Sequence, residues 1–399
     1  MIGRRSLIAA GLAAGAAGGT SRARAQAGRE IKIGNTNPYS GPAASYGANG
    51  RSEAAYFRMI NDQGGIDGHR INFLSYDDGY SPPKTVEQVR RLVEEDNVDF
   101  LFATLGTPTN SAVVDYLNKK KVPHLFVATG ASKWADYKRY PWTIGFQASY
   151  RTEAQIYAKY ILKTVKDPKI GILYQNDDFG KDYPAGVRDV LGADFDRMVV
   201  RTASYETTDS TVDSQVQLLQ SAGANVLLAA AIPKFAAQTI RHVYDIDWKP
   251  LFVLTNVASS VGDVMVPAGP EKSIGVISTQ YLKDPNDPAW TNDPGMLGWR
   301  AFMAKYMPGS DLTDATYVSG YSETVTMVQV LKQCGGDYSR ENVMHQAESL
   351  HDFEVPTLLP GIRLNTSATD HRPFKGLQLA RWDGHTWGRF GEVIEGVTA

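Results

Sequence analysis

Residues 30–37 read EIKIGNTN, residues 99–106 DFLFATLG and residues 123–130 PHLFVATG. Each is a short β-branched or aromatic run ending in small, amide or hydroxyl residues, the pattern of a buried parallel strand that runs into a loop. RINFLSYDD at 70–78 is a fourth such run. Between them, Tyr46 to Gln63, Pro82 to Asp96 and Thr109 to Lys121 carry apolar residues at helical spacing. Strand and helix alternate as βα units, which predicts one complete α/β lobe. The aromatic stretch YPWTIGFQASY at 140–150 then reads as a crossing to a second lobe.

A second series repeats the first in order and size. Its strands are read at KIGILYQND (169–177), MVVRTASYE (198–206), ANVLLAAAI (224–232) and PLFVLTN (250–256), with helices near 180–191, 212–222 and 233–245. After SIGVISTQYL (273–282) the chain turns helical at 296–306, 315–334 and 340–350, and closes with LQLARWDGHTWGRF (377–390). Asp383-Gly384 between alternating residues predicts a hairpin turn there. This tail is expected to complete both lobes, so that the chain crosses between them three times. The expected division is 28–147 with 281–354 in the first lobe and 148–280 with 355–399 in the second.

Composition narrows the function classes. The chain has 399 residues, 43% hydrophobic and 21% charged, enough for two ordinary domains. Lys and Arg total 41 against 43 Asp and Glu, so no basic excess exists to hold a phosphate backbone, and nucleic acid is not an expected partner. Cys334 is the single cysteine, and no HExxH or Cys/His cluster has metal-ligand spacing, so neither a metal nor a cofactor is expected. Residues 1–27, MIGRRSLIAAGLAAGAAGGTSRARAQA, read as a twin-arginine export signal with Ala-x-Ala peptidase sites. Its removal would take four Arg and no acid, shifting the formal net charge from −2 to −6. The expected home of the mature chain is the periplasm.

Two open α/β lobes joined by several crossings predict a cleft that closes by hinge motion. Ligands in such sheets lie beyond the carboxyl ends of the strands. After the first strand, Tyr46 offers a flat face and a hydroxyl. After the third, Thr107 stands with Thr109, Asn110 and Ser111 at a helix start, a setting suited to a carboxylate. Ala128, Thr129 and Gly130 form a small-residue loop after the fourth, where backbone amides can approach a ligand. In the second lobe Phe179, Lys234 and Asn256 follow strands, and Tyr281 sits near a crossing. No GxSxG elbow, P-loop or strand-following GxGxxG occurs in the mature chain, and Asp177-Asp178 reads as helix capping, so no enzyme activity is expected.

IKIGNTNPYSGPAASYG, INDQGGIDGHRI, YDDGYSP, KKVPHLFVATGAS and YQNDDFGKDY, in this order, resemble the periplasmic solute-binding proteins of the leucine-isoleucine-valine type, the receptors of ATP-driven (ABC) uptake transporters. YLKDPNDPAW, LKQCGGDYSRENVMHQAESL and LLPGIRLN are similar to the long-chain branch of that family. The resemblance implies an α/β type I periplasmic binding protein fold, with two Rossmann-like lobes, parallel sheets, three interlobe crossings and one small molecule in the cleft. It further implies an inner-membrane ABC permease as partner and a monomeric receptor. By motif, Tyr46 would line the first-lobe wall, Thr107 would take the carboxylate-binding hydroxyl position, and Ala128 to Gly130 would supply backbone contacts. Phe179 stands where amino-acid binders of the family often have Tyr, and Asn256 where they often carry an acid for the ammonium group. A buried ammonium needs a partner charge. These departures, with Trp134 nearby, suit an aromatic or aliphatic acid at least as well as an amino acid. A periplasmic ligand sensor on the same fold, signalling to a membrane receptor, is the alternative function.

Overall fold

The computed structural model describes residues 30–395; the export signal read at 1–27 lies outside the described residues. The first sheet contains β1 (Ile31–Asn37), β2 (Ile71–Asp77), β3 (Phe100–Phe102), β4 (His124–Val127) and β5 (Thr143–Gly145), all parallel, in the order β2-β1-β3-β4-β5. The second contains β6 (Ile170–Gln175), β7 (Val199–Tyr205), β8 (Val226–Ala230), β9 (Leu251–Leu254), β10 (Ile277–Gln280), β11 (Gly376–Trp382) and β12 (Trp387–Glu395), in the order β12-β11-β10-β9-β8-β6-β7. Its first five strands are parallel, and β11 and β12 add an antiparallel hairpin. Strands such as β8, VLLAA, are buried along their whole length because helices cover both faces of the sheet.

Helices Tyr150–Thr164 and Asp178–Leu191 pack together on the second sheet, and Gly47–Asp62 pairs with Thr316–Gln333 on the first lobe. Gly320 makes that last pairing close: a Cβ there would stand 2.5 Å from the Asn49 carbonyl oxygen. The Asp383-Gly384 turn forms as expected, with Asp383 Oδ1 accepting from the backbone N–H groups of His385 and Thr386 at 2.8 and 2.7 Å.

Three expectations are corrected. The run DFLFATLG is a strand only over Phe100–Phe102, because Ala103 turns to φ +49° and the Asn35 side chain donates to the Phe102 and Ala103 carbonyls at 2.9 and 3.0 Å. The helix read from Thr109 to Lys121 is two pieces, Thr107–Ser111 and Val114–Lys120. Thr109 Oγ1 and Asn110 Nδ2 bond back to the carbonyls of Leu105, Gly106 and Thr104, and such local side-chain bonds compete with helix propagation. The crossing at 140–150 contains β5 and, from Tyr150, the start of the Tyr150–Thr164 helix.

Candidate functional site

Strand order decides where a ligand can sit. In the first sheet β1 lies between β2 and β3, so the chain leaves β1 toward one side and β3 toward the other; in the second sheet β6 stands likewise between β7 and β8. Such switch points leave a crevice at the carboxyl ends of the strands. Both crevices open on one cavity whose walls come from both lobes. Tyr46 and Thr107, after β1 and β3, meet Phe179 and Ile232, after β6 and β8, across it. Tyr80, Leu105, Gln147, Tyr150, Asn256 and Gln280 extend its walls.

On the first-lobe side, Gly106 at φ +103° turns the chain so that Thr107 begins a single helical turn at the wall. Thr107 Oγ1 and Thr129 Oγ1 are hydrogen-bonded at 2.5 Å, so one hydroxyl at the wall is oriented by another behind it. A Cβ on Gly106 would stand 2.5 Å from Tyr80 Cε2 and 2.7 Å from Thr109 Oγ1. Gly106→Ala is therefore expected to lower the melting temperature and to push the Tyr80 ring into the cavity. A calorimetric scan and a binding titration of the variant check both effects; unchanged values in both would contradict this geometry.

On the second-lobe side, the Phe179 ring meets Tyr150 edge-on at 4.8 Å and Tyr183 at 5.8 Å. Tyr183 donates to the Glu153 carboxylate. Glu153 is 2% exposed and also accepts from Tyr157 Oη at 2.6 Å, Thr279 Oγ1 at 2.7 Å and the backbone N–H of Asn256 at 2.8 Å. One buried carboxylate thus ties the ring that backs Phe179 to the loop that presents Asn256. Burial raises its pKa, and the donated hydrogen bonds offset part of that rise.

The cavity wall carries two charged residues, of which Lys283 has a counter-charge and Asp284 is held by neutral donors. Lys283 Nζ donates to both Asp293 oxygens at 2.9 Å and to the Pro356 carbonyl at 2.7 Å. Asp284 accepts from Asn286 N and Nδ2 at 2.7 and 2.9 Å, and burial pushes its pKa up to about 6. Burial also holds the Tyr46, Tyr80 and Tyr281 hydroxyls well above the usual phenol range, so they remain donors. Apart from these two, what faces a solute is neutral: rings, aliphatic groups, hydroxyls and carboxamides.

The lobes touch around the rim. Tyr46 Oη donates to the Val257 carbonyl at 2.8 Å, and Ser132 gives Asp182 a backbone N–H and a hydroxyl at 2.6 and 2.7 Å. Lys133 pairs with Asp178 at 3.0 Å. On the other side Ser260 Oγ donates to Asp314 at 3.1 Å, and Gly262 N to the Thr313 carbonyl at 3.2 Å.

The family model described as periplasmic binding protein matches residues 30–386. The chain belongs to the periplasmic binding protein family. Among curated relatives of this binding protein, Leu/Ile/Val-binding protein homolog 3 of Brucella melitensis is 26% identical over 365 residues, covering 89% of this chain and 92% of the relative. Among solved structures, a branched-chain amino acid ABC transporter protein from Thermus thermophilus with bound valine superposes with a TM-score of 0.83 at 14% identity, covering 92% of this chain and 97% of that one. A fatty acid ABC transporter substrate-binding protein from Thermomonospora curvata superposes with a TM-score of 0.78 at 19% identity, covering 92% and 93%. The fold is the type I periplasmic binding protein fold.

Of the nine residues singled out in the sequence of this binding protein, Tyr46, Thr107, Ala128, Phe179, Asn256 and Tyr281 lie on the cavity wall. Tyr46 does so from the last position of a short turn, Ala44–Tyr46, that precedes the helix. Thr129 stands one layer back, against Thr107, and the Gly130 carbonyl accepts from Tyr150 N at 2.8 Å. Lys234 is a correction. It lies outside the cavity, its Nζ donating to the Asp209 carbonyl at 2.9 Å on the surface, because the preceding Ile232 takes the place at the end of β8. Trp134, 2% exposed, belongs to the first-lobe core rather than to the cavity wall. Sequence reasoning missed Tyr80, Gln147, Tyr150 and Gln280. Tyr80 had a signal: it closes the DDGY turn after β2, held at φ +60° with its N–H on Asp78 at 2.9 Å.

Proposed function

We propose that this binding protein is the extracytoplasmic receptor of an ABC uptake transporter, capturing a small carboxylate between its lobes by hinge closure. The observation that carries the reading is the shared cavity itself, with the Thr107 hydroxyl on one lobe and the Phe179 and Tyr150 rings on the other. Family membership supports a periplasmic site of action. It also supports release to an inner-membrane permease, with the receptor working as a monomer and turning over no substrate.

The relatives' printed names point to branched-chain amino acids, and one structural neighbour to fatty acids. Within this cavity the Asp284 carboxyl is occupied by Asn286, and Asn256 spends its Nδ2 on the Thr279 carbonyl. The one carboxyl on the wall, Asp284, is already satisfied by amide donors, and an ammonium group placed away from it would be desolvated without a counter-charge. An aromatic or aliphatic acid meets that wall at lower cost. A thermal-shift screen of the mature protein tests this, since a ligand that binds only the native state raises the melting temperature. Stabilisation by benzoate-like or short fatty acids supports the reading; stabilisation by leucine or valine alone would overturn the specificity and keep the receptor.

Thr107→Ala is expected to weaken binding of the stabilising acid by roughly 1–3 kcal/mol, the cost of leaving a buried polar group unpaired. Isothermal titration of the variant reads this directly. An unchanged Kd would remove Thr107 from the carboxylate site.

A further inference from the structure

Gln280 ends β10 at the carboxyl edge of the second sheet and is 5% exposed on the cavity wall. Its side-chain oxygen is buried without a hydrogen-bond partner. Of the other polar side chains on the wall, Asn256 is bonded to the Thr279 carbonyl, Gln147 accepts from Tyr150 Oη at 3.0 Å and Thr107 is bonded to Thr129, while Asn49 keeps its Nδ2 bonds to Glu53 and Glu323 but leaves Oδ1 unpartnered. A buried carboxamide left unpaired costs stability, and folded proteins leave few of them without a reason. A local rule broken at a cavity wall, with no compensating contact, marks a place where stability is given up for function.

We infer that Gln280 determines ligand specificity, its carboxamide completing its hydrogen bonds only with a polar group of the ligand. The inference rests on the receptor reading and deepens it. Thr107 follows β3 in one lobe and Gln280 ends β10 in the other, so a single solute that touches both must carry two polar groups. The ligand class is then a bifunctional small acid, with a carboxylate at Thr107 and a hydroxyl or amide group at Gln280. Bonding both residues at once favours the closed arrangement, which a plain hydrocarbon acid would do less well.

The experiment uses the mature protein and its Gln280→Leu variant, titrated calorimetrically with matched acids: benzoate against para-hydroxybenzoate, and isocaproate against 2-hydroxyisocaproate. In the wild type, at least one member bearing the second polar group is expected to bind about tenfold or more tightly than its plain partner, and Gln280→Leu is expected to abolish that preference. The ligand-free variant is expected to melt no lower than the wild type, because leucine removes an unpaired polar group from the wall. A preference that persists in the variant, or a variant that melts well below the wild type, would overturn the inference and assign Gln280 to the framework. Binding of plain and bifunctional acids with equal affinity by the wild type would also overturn it and leave the receptor reading intact. Failure of the wild type to bind any of the four would count against the carboxylate receptor reading itself.

Discussion

Glu153→Ala is expected to cause the largest loss of stability of any single truncation at the site, about 2–4 kcal/mol, at roughly 1–3 kcal/mol for each buried donor left unsatisfied. For a chain of this size that is a fall in melting temperature of about 2–5 °C. The reason lies in its partners. Tyr157, Tyr183, Thr279 and the Asn256 backbone all donate to one buried carboxylate, and alanine would leave the Asn256 N–H without its acceptor and the three hydroxyls with fewer partners. Two of these partners sit directly behind the cavity, so the variant should bind its ligand more weakly even at temperatures where it is fully folded. Glu153→Gln keeps one acceptor oxygen and is expected to lose about half as much. Differential scanning calorimetry of both variants, with a titration on the folded Glu153→Gln protein, checks the pair of effects. A melting temperature within about a degree of the wild type for Glu153→Ala would contradict the network.

The second large effect concerns pH. Asp263 lies on the second-lobe segment Val261–Met265, and Asp314 precedes the first-lobe helix Thr316–Gln333. Their carboxyl groups lie close enough across the rim to interact, and Asp263 Oδ2 is buried with no hydrogen-bond partner. Asp311 adds a second like charge, while Ser260 and Thr316 contribute only neutral donors. Burial first, then the neighbouring Asp314, pushes the Asp263 pKa up to about 7. Opening the lobes returns both carboxyls to water and to the ordinary aspartate range, so the closed form holds one proton more. A group raised in this way favours the closed form below its ordinary pKa, and that contribution disappears as pH rises through about 7. Ligand affinity is therefore expected to fall by roughly tenfold from mildly acidic to mildly alkaline pH, below the ceiling of tenfold per pH unit for one linked proton. Asp263→Asn, which can still donate to Asp314 and carries no charge, should flatten the profile. Calorimetric Kd values across this range decide it, and a flat wild-type profile would contradict the raised Asp263 pKa.

Much of the fold was legible because buried parallel strands leave dense β-branched runs, as in IKIGNTN and VLLAA, and because Asp383-Gly384 is a specific hairpin turn. Thr107 and Phe179 could be picked out for a related reason: the residue just past a strand at a switch point has few places to go but the crevice. The hidden parts share one cause, dependence on partners distant in sequence. β5 is three residues, Thr143–Gly145, inside an aromatic stretch, and it is a strand only because β4 lies beside it. Glu153 reads as a solvent-facing helix residue until Tyr183, Asn256 and Thr279 close around it. Lys234 and Gln280 make the same point in opposite senses. A charge beside a strand end drew the eye and turned outward to Asp209, while an unremarked glutamine two strands away faces the cavity.

The central claim is that a small acid binds between the lobes, and a crystal structure of the mature protein grown with the acid giving the largest thermal shift tests it most directly. The account predicts density in the cavity, with the carboxylate within hydrogen-bond distance of Thr107 Oγ1 and the body of the acid against Phe179 and Tyr150. Density for the acid elsewhere on the protein, with the cavity holding only solvent, would contradict it.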